Sequence, residues 1–300
     1  MDIASIVTAL RARLEGVLAA PRGRYRPLVV DGETVGWVDD SRARRLAAFT
    51  GVFVVDEGGV TLASAWVGQP ERTLAMDRVA RALAEEGLLS GWRNERYSVT
   101  GEHGGPPRFD LERAAARYFG IHTYAAHVNG LVRGDGEPRM WLARRSARKA
   151  IDPLLLDNLV GGGVASGTSV RATLVKEAWE EAGIAKAVAA RARAHGALHV
   201  CRAQRDGLQR ETIFVHDLWL DADFVPTCQD GEVVDNRLVT LSEAARLVAN
   251  RDGPDVLTAD ASLVIVDCLI RRRVIAEDSP DYEALSGLRY PALEPVRSLG

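Results

Sequence analysis

Residues 161 to 184 read GGGVASGTSVRATLVKEAWEEAGI. An apparent strand from Asp157 to Val160 runs into three glycines, and a helix-forming stretch follows. The spacing predicts a helix over 169 to 182, with Thr168 or Ser169 as N-cap and Gly183 closing it. At about 100° per residue, with Glu177 set at zero, Glu181 falls near 40° and Glu180 near 300°. Three carboxylates share one face. Val175, Ala178, Trp179 and Ala182 fall on the other side and are free to pack.

Like charges three and four residues apart cost an isolated helix a few tenths of a kcal/mol per pair. A solvated surface face tolerates that, so the acids alone would be ordinary. Their setting is not. A strand and a glycine turn lead into the helix, and a glycine stops it just past the carboxylates. Hard divalent cations take clustered oxygen ligands, and Mg²⁺ is commonly bound by one or two carboxylates plus substrate phosphate. The unit therefore suits a metal-bridged phosphoanhydride, with a backbone carbonyl near Gly161 as a further candidate ligand.

The same residues resemble the box of the Nudix hydrolases, G-x5-E-x7-R-E-U-x-E-E-x-G-U, where U is a bulky aliphatic. Gly162 matches the first glycine; Glu177, Glu180 and Glu181 the helix glutamates; Gly183 and Ile184 the closing pair. Thr168 replaces the first glutamate, Lys176 the arginine, and Ala178 a bulkier residue. Lys176 keeps the charge and reaches Glu180 at i+4, but lacks the planar fork of arginine. The resemblance implies Mg²⁺ or Mn²⁺ on Glu177, Glu180 and Glu181, Lys176 orienting them, and a glutamate outside the box that completes the metal site or acts as general base. Glu232 is the candidate and Glu211 the runner-up.

The whole chain resembles a Nudix subgroup with an extra N-terminal domain. It is similar to the Nudix part of fungal thiamine pyrophosphokinase fusions and to related plant and yeast proteins. The matching stretches include GWRNERY at Gly91, HVNGLV at His127, ARRSARKA at Ala143 and LVIVDCLIRR at Leu263. That resemblance implies hydrolysis of oxidised or damaged thiamine diphosphate to the monophosphate. Diphosphohydrolysis of a nucleotide sugar or a damaged nucleoside triphosphate stays open, as does a Nudix-like module that binds without cleaving.

Outward from the box, the 300 residues suggest about two domains. The boundary is placed near Gly120. Residues 1–120 are read as a smaller α+β domain, 121–275 as an α/β Nudix fold with a mixed sheet between helices, and 276–300 as a C-terminal tail. Helices are expected over 3–18, 72–87, 110–119 (with Asp110 as N-cap), 242–248 and 261–272. Strands are expected at 28–30 and 35–38 around Asp31-Gly32, and at 53–55, 60–63, 123–132, 140–144, 211–220 and 232–240.

A net charge of −3 supplies no field to draw nucleic acid or an anionic membrane. The most apolar stretch, 261–270, is about half of what spans a bilayer and contains Asp267. Cys201, Cys228 and Cys268 show no CxxC spacing, which fits a reducing compartment rather than a disulfide framework. The chain is read as cytoplasmic, with a small-molecule diphosphate as partner. The oligomeric state is open, with a homodimer one option.

Phosphate-binding candidates are Arg144, Gln209 and Arg210, placed on or beside strands, arginine being suited to bidentate phosphate contact. Trp92, Arg93 and Tyr97 could wall a ring system near the domain junction, with ordinary packing as the competing reading. The six histidines are read as structural.

Overall fold

The computed structural model describes residues 3–295. Helix α1 (Ile3–Val17) comes first. It is followed by β1 (Tyr25–Val30), β2 (Glu33–Asp39), α2 (Asp40–Leu46), β3 (Phe53–Val55), β4 (Val60–Leu62), α3 (Gln69–Glu85), β5 (Arg96–Val99) and β6 (Phe109–Glu112). Strands β1 to β4 form one sheet in the order β2-β1-β4-β3, and β5 pairs with β6. The turn at Asp31 and Gly32 has φ of 51° and 78°, left-handed values that a short polar residue and glycine accept. Leu28, Val60, Met76, Leu83, Phe109 and Phe119 make the core of this part.

The second part contains β7 (His122–Val132), β8 (Arg139–Arg145), β9 (Leu156–Asn158), β10 (Val160–Gly163), α4 (Val170–Ala182), α5 (Lys186–Ala189), β11 (Arg193–Gln204), β12 (Gly207–Leu220), β13 (Val233–Thr240), α6 (Leu241–Ala249), α7 (Ala259–Arg271) and α8 (Tyr282–Gly287). Its sheet runs β11-β12-β7-β8-β13, with β10 on β7 and β9 on β8. β7 and β12 are parallel from His122–Arg210 to Val132–Leu220, while the other pairings are antiparallel.

Alternation along β7 sends successive side chains to opposite faces. Ala126 and Val128 pack with Leu174 and Ala178 of α4. Ala125 and Leu131 pack with Leu263, Val266 and Ile270 of α7 and with α6. This is the expected mixed sheet between helices. The apolar run 261–270 is a core helix, buried all round. Among the described residues, no helix is long and apolar enough to cross a membrane.

Three expectations are corrected. Residues 110–119 are not a helix: they begin in β6 and continue as a 3₁₀ turn over Arg113–Ala115. Phe109 and Leu111 are buried at a period of two, and Asp110 accepts from the hydroxyls of Ser98 (2.9 Å) and Ser166 (2.8 Å). Those tertiary partners override the helical propensity of DLERAAARYF. Helix α1 does not join the N-terminal core, since Val7, Leu10 and Leu14 pack on α6, α7 and α8, in the core cluster of the large sheet. Nor are residues 276–300 a free tail over their described part. Leu285 of α8 is buried in that same core, and Asp281 pairs with Arg11 of α1 at 2.7 Å. Residues 296–300 of this expectation lie outside the described residues.

The two parts meet along the start of the large sheet. The Trp37 amide donates to the Phe119 and Gly120 carbonyls, and Gly120 has φ 54°. A β-carbon at Gly120 would lie 2.1 Å from the Trp37 carbonyl oxygen, so only glycine fits there. Leu208 donates to the Arg117 carbonyl (2.8 Å) and Ser166 to that of Arg96 (2.7 Å). These contacts bring β5 and the turn after β6 beside the glycine triple.

Candidate active site

Helix α4 begins at Ser169, whose hydroxyl accepts from Ala172 N, and ends at Gly183 with φ 65°. Thr168 is not the cap; its hydroxyl donates to the Ala165 carbonyl at 2.6 Å. Leu174, Ala178 and Ala182 bury one face. Ala178 is wholly buried, so the small residue sits where the helix lies close to the sheet.

The opposite face carries the acids, and three glycines let it approach β10. The Gly161 amide donates to Glu181 Oε2 at 2.8 Å. A β-carbon at Gly162 would stand 2.3 Å from Glu177 Cγ. Two ammonium groups lie among the carboxylates. Lys176 donates to Glu177 Oε1 (3.1 Å) and Glu180 Oε2 (2.6 Å). Lys149 reaches Glu181 Oε1 at 3.5 Å and forms a close ion pair with Glu232. Arg93, from the N-terminal part, donates to the other Glu232 oxygen at 2.9 Å.

These surroundings set the protonation behaviour. Burial pushes the Glu181 carboxyl up to about 8, against the pull of Lys149 and the Gly161 amide. Burial also raises Glu177, against Lys176. At Glu232 burial is outweighed by Lys149 and Arg93, which hold the carboxyl down at about 2. Glu181 in the folded, metal-free protein therefore keeps a proton that the unfolded chain has lost above about 4.5. Folding stability contributed by this group falls as pH rises from there through about 8. Thermal melts in chelator across that window are expected to show this slope, reduced in Glu181→Gln; equal slopes would contradict it.

A cleft of about 340 Å³ opens beside the glycine triple. The N-terminal part contributes Arg93, Tyr97 and Arg113; the large sheet contributes His127, Gln209 and Glu211; Asp260 comes from the first turn of α7. The Tyr97 ring packs over Gly163, where a β-carbon would lie 2.2 Å from its hydroxyl oxygen. The Arg113 guanidinium stands 5.9 Å from the Tyr97 ring centre. Gln209 bridges Glu211 (2.9 Å) and Asp260 (3.1 Å). Glu211 is held above its ordinary range by burial and by neighbouring Asp260.

The structure thus brings together Lys176, Glu177, Glu180, Glu181 and Glu232, and puts Arg93, Tyr97, Gln209 and Glu211 in the adjoining cleft. It separates three other candidates from the cleft's chemistry. Arg144 is held by the Leu154 and Pro254 carbonyls and by Asp255 at 2.6 Å, and does not line the cleft. Arg210 borders the cleft, but its guanidinium is committed to the carbonyls of Gly120 (3.0 Å) and Leu293 (2.6 Å). Trp92 lies in a different depression, bonded to Asn94 at 2.9 Å and stacked under Arg81 at 5.0 Å. Gly161 meets the cluster through its N–H.

Sequence reading missed Lys149, Arg113, His127 and Asp260. One signal was available: Lys149, Lys176 and Lys186 are the only lysines in an arginine-rich chain, and two of them stand on the acids.

No three His, Cys, Asp or Glu side chains among the described residues converge as a ready metal site, because the two lysines sit between the carboxylates. The donor chemistry nonetheless fits a hard divalent ion. Glu181 is a buried carboxylate whose ionised form is under-compensated, and added positive charge would relieve it.

The comparisons with known proteins agree with this geometry. The NUDIX domain model matches residues 122–259, and a domain of unknown function, DUF4743, matches residues 9–123. Nudix hydrolase 24, chloroplastic, of Arabidopsis thaliana is 40% identical over 262 residues, covering 87% of this chain and 71% of that protein. The chain belongs to the Nudix family. Nudix hydrolase 20, chloroplastic, of the same plant is 37% identical over 269 residues, with the same two coverages. A protein of Saccharomyces cerevisiae, the uncharacterized YJR142W, is 30% identical over 94% of this chain and 87% of its own length. As a Nudix hydrolase the chain acts on pyrophosphate bonds, and Nudix hydrolases generally use divalent metals such as Mg²⁺ or Mn²⁺.

Proposed function

We propose that this Nudix hydrolase cleaves the diphosphate of a small organic diphosphate ester, with thiamine diphosphate or an oxidised form of it as the leading substrate. The observation that carries the reading is the acidic face of α4, drawn onto the glycine triple at the edge of a cleft that both parts of the chain wall. The choice of thiamine rests on the subgroup resemblance. The cleft is compatible with it: the Tyr97 ring, packed in the N-terminal core, borders the cleft, and Gln209, Glu211 and Asp260 offer polar groups for a nitrogen-rich ring system.

Glu177, Glu180 and Glu181 would hold Mg²⁺ or Mn²⁺, which when bound neutralises charge developing on the phosphate oxygens. Lys149 and Arg93 sit at the cluster and are the cations best placed to receive the diphosphate. Lys176 keeps Glu177 and Glu180 aligned. Glu211 fits the role of proton acceptor, since its surroundings favour the protonated form. Of the two roles expected for it, completing the metal site or acting as general base, Glu232, held ionised by two cations, fits the first better, as a positioning group. Water adds to one phosphorus, the bridging P–O bond breaks, and two monophosphates leave with the water proton taken up at Glu211. A cytoplasmic setting belongs to this reading; Cys201, Cys228 and Cys268 are all free thiols.

The test is a substrate panel with Mg²⁺: thiamine diphosphate, oxythiamine diphosphate, ADP-ribose and nucleoside triphosphates, followed by product analysis. A thiamine-type diphosphate is expected to give the highest kcat/KM. Preference for a nucleotide derivative would replace the substrate assignment, and binding without cleavage of any compound would remove the catalytic reading.

A further inference from the structure

A second groove, of about 700 Å³, lies at the C-terminal end of α7, away from the cleft, which Asp260 borders near the start of that helix. Twelve residues of helix separate Asp260 from Arg272, about 18 Å. Arg191, Arg193, His195, Asp217, Arg271 and Arg272 line the groove. Among the described residues that line it, Asp217 is the only acid. It is 3% exposed and already receives Arg271 and Arg272, each at 2.8 Å, with His195 3.3 Å away.

Arg271 is also paired with Asp267, through its Nε at 2.7 Å, and Asp267 is shared with Arg289; positive charge in the groove still exceeds what these carboxylates offset. Arg191 and Arg193 have no carboxylate within ion-pair distance among the described residues. Arg272 Nε is buried without a hydrogen-bond partner. Burial and the guanidinium groups of Arg271, Arg272 and Arg193 push His195 below its ordinary value despite Asp217. Trp219 borders the groove, with Arg133 and Arg272 over its ring at 5.2 and 4.8 Å. Convergent guanidinium forks of this kind match the oxygens of a phosphate-type dianion.

Asp217 also ends a buried chain that starts in the cleft. His127 Nδ1 bonds Asn158 Oδ1 at 2.8 Å, Asn158 Nδ2 donates to Asn129 Oδ1 at 3.1 Å, and Asn129 Nδ2 donates to Asp217 Oδ1 at 3.0 Å. The Asn158 oxygen only accepts, so His127 Nδ1 donates and every donor in the chain points toward Asp217. All four residues are less than a tenth exposed. Such a chain is polarised as a unit. Drawing Arg271 and Arg272 away from Asp217 strengthens its hold on the Asn129 amide, and that change propagates to the His127 ring.

We propose that this groove is a second anion site, built for a phosphate or phosphate-monoester dianion, and that the Asp217–Asn129–Asn158–His127 chain reports its occupancy to the cleft. The proposal does not depend on which diphosphate is hydrolysed. It is tested by titrating inorganic phosphate into full-length protein with ¹⁵N-labelled histidines, against chloride at matched ionic strength. The His195 and His127 resonances are expected to shift saturably with one midpoint. The double variant Arg191→Glu/Arg193→Glu changes two exposed residues, and is expected to weaken the His195 response at least about tenfold and to remove that of His127 with it. Asn129→Leu, if it folds, is expected to keep the His195 response and lose that of His127.

Phenyl phosphate, titrated in parallel, separates the sources. Tighter binding than inorganic phosphate assigns the groove to a monoester whose ring lies on Trp219, and equal binding assigns it to phosphate itself. A His195 response no different from that in chloride overturns the site. A His127 shift that persists in the double variant places phosphate in the cleft and overturns the coupling.

Discussion

Glu181→Gln is expected to lower kcat by about three orders of magnitude or more while the protein stays folded, and Glu180→Gln by at least about a hundredfold. Each tenfold corresponds to about 1.4 kcal/mol of barrier. The glutamine keeps the shape of the side chain and removes its charge. At Glu181 the charge that a bound metal would call up is buried, beside the Gly161 amide and Lys149, so no water-exposed neighbour can replace it. Steady-state kinetics beside thermal melts check this, and wild-type rates in both variants would reduce the acidic face to a solvated surface. Thr168→Ala serves as the contrast. That hydroxyl caps nothing in α4, Ser169 being the N-cap, so the variant is expected to stay close to wild type in both assays.

Gly162→Ala is expected to cost about as much activity as Glu180→Gln, roughly a hundredfold in kcat, with little loss of stability. The added methyl would stand 2.3 Å from Glu177 Cγ and 2.5 Å from its Cδ. A side chain can rotate away from such a contact far more readily than a backbone can shift. The fold therefore survives and the Glu177 carboxylate leaves its place beside Lys176. Circular dichroism, melting temperature and kcat measured together decide it. A folded Gly162→Ala protein with unchanged kcat would show that the position of Glu177 is immaterial to turnover.

The box was legible because its signals are local. Glycines 161–163 and 183, the Ser169 cap and the carboxylate spacing all act within about 24 residues, and helical periodicity alone places the three acids on one face. The β-rich stretch of β7 and the alternation over 211–220 of β12 were legible for the same reason. What failed was decided at long range. Ile6, Val7, Leu10 and Leu14 gave the correct helix but not the helices α6, α7 and α8 it packs on, since an amphipathic face does not name its partner. DLERAAARYF has good helical propensity, and only the pairing of Phe109–Glu112 with Arg96–Val99 makes its start a strand.

The cleft was partly legible. Arg93, Tyr97 and Gln209 were placed there by residue type near the junction and along β12, and Glu211 by the family resemblance. Arg144 and Arg210 were chosen by the same criterion and prove to be tied to main-chain carbonyls, which residue type cannot foretell. Lys149, Arg113, His127 and Asp260 come from four separate places in the chain. Topology alone brings them to one cavity.

The acidic face of α4 is proposed as a metal-dependent catalytic site, and turnover of the best diphosphate in the panel, measured first in EDTA and then during titration with Mg²⁺, tests it most directly. No turnover in chelator, followed by saturable recovery that Glu181→Gln does not show, is the expected result. Full turnover of wild-type protein in EDTA would contradict it.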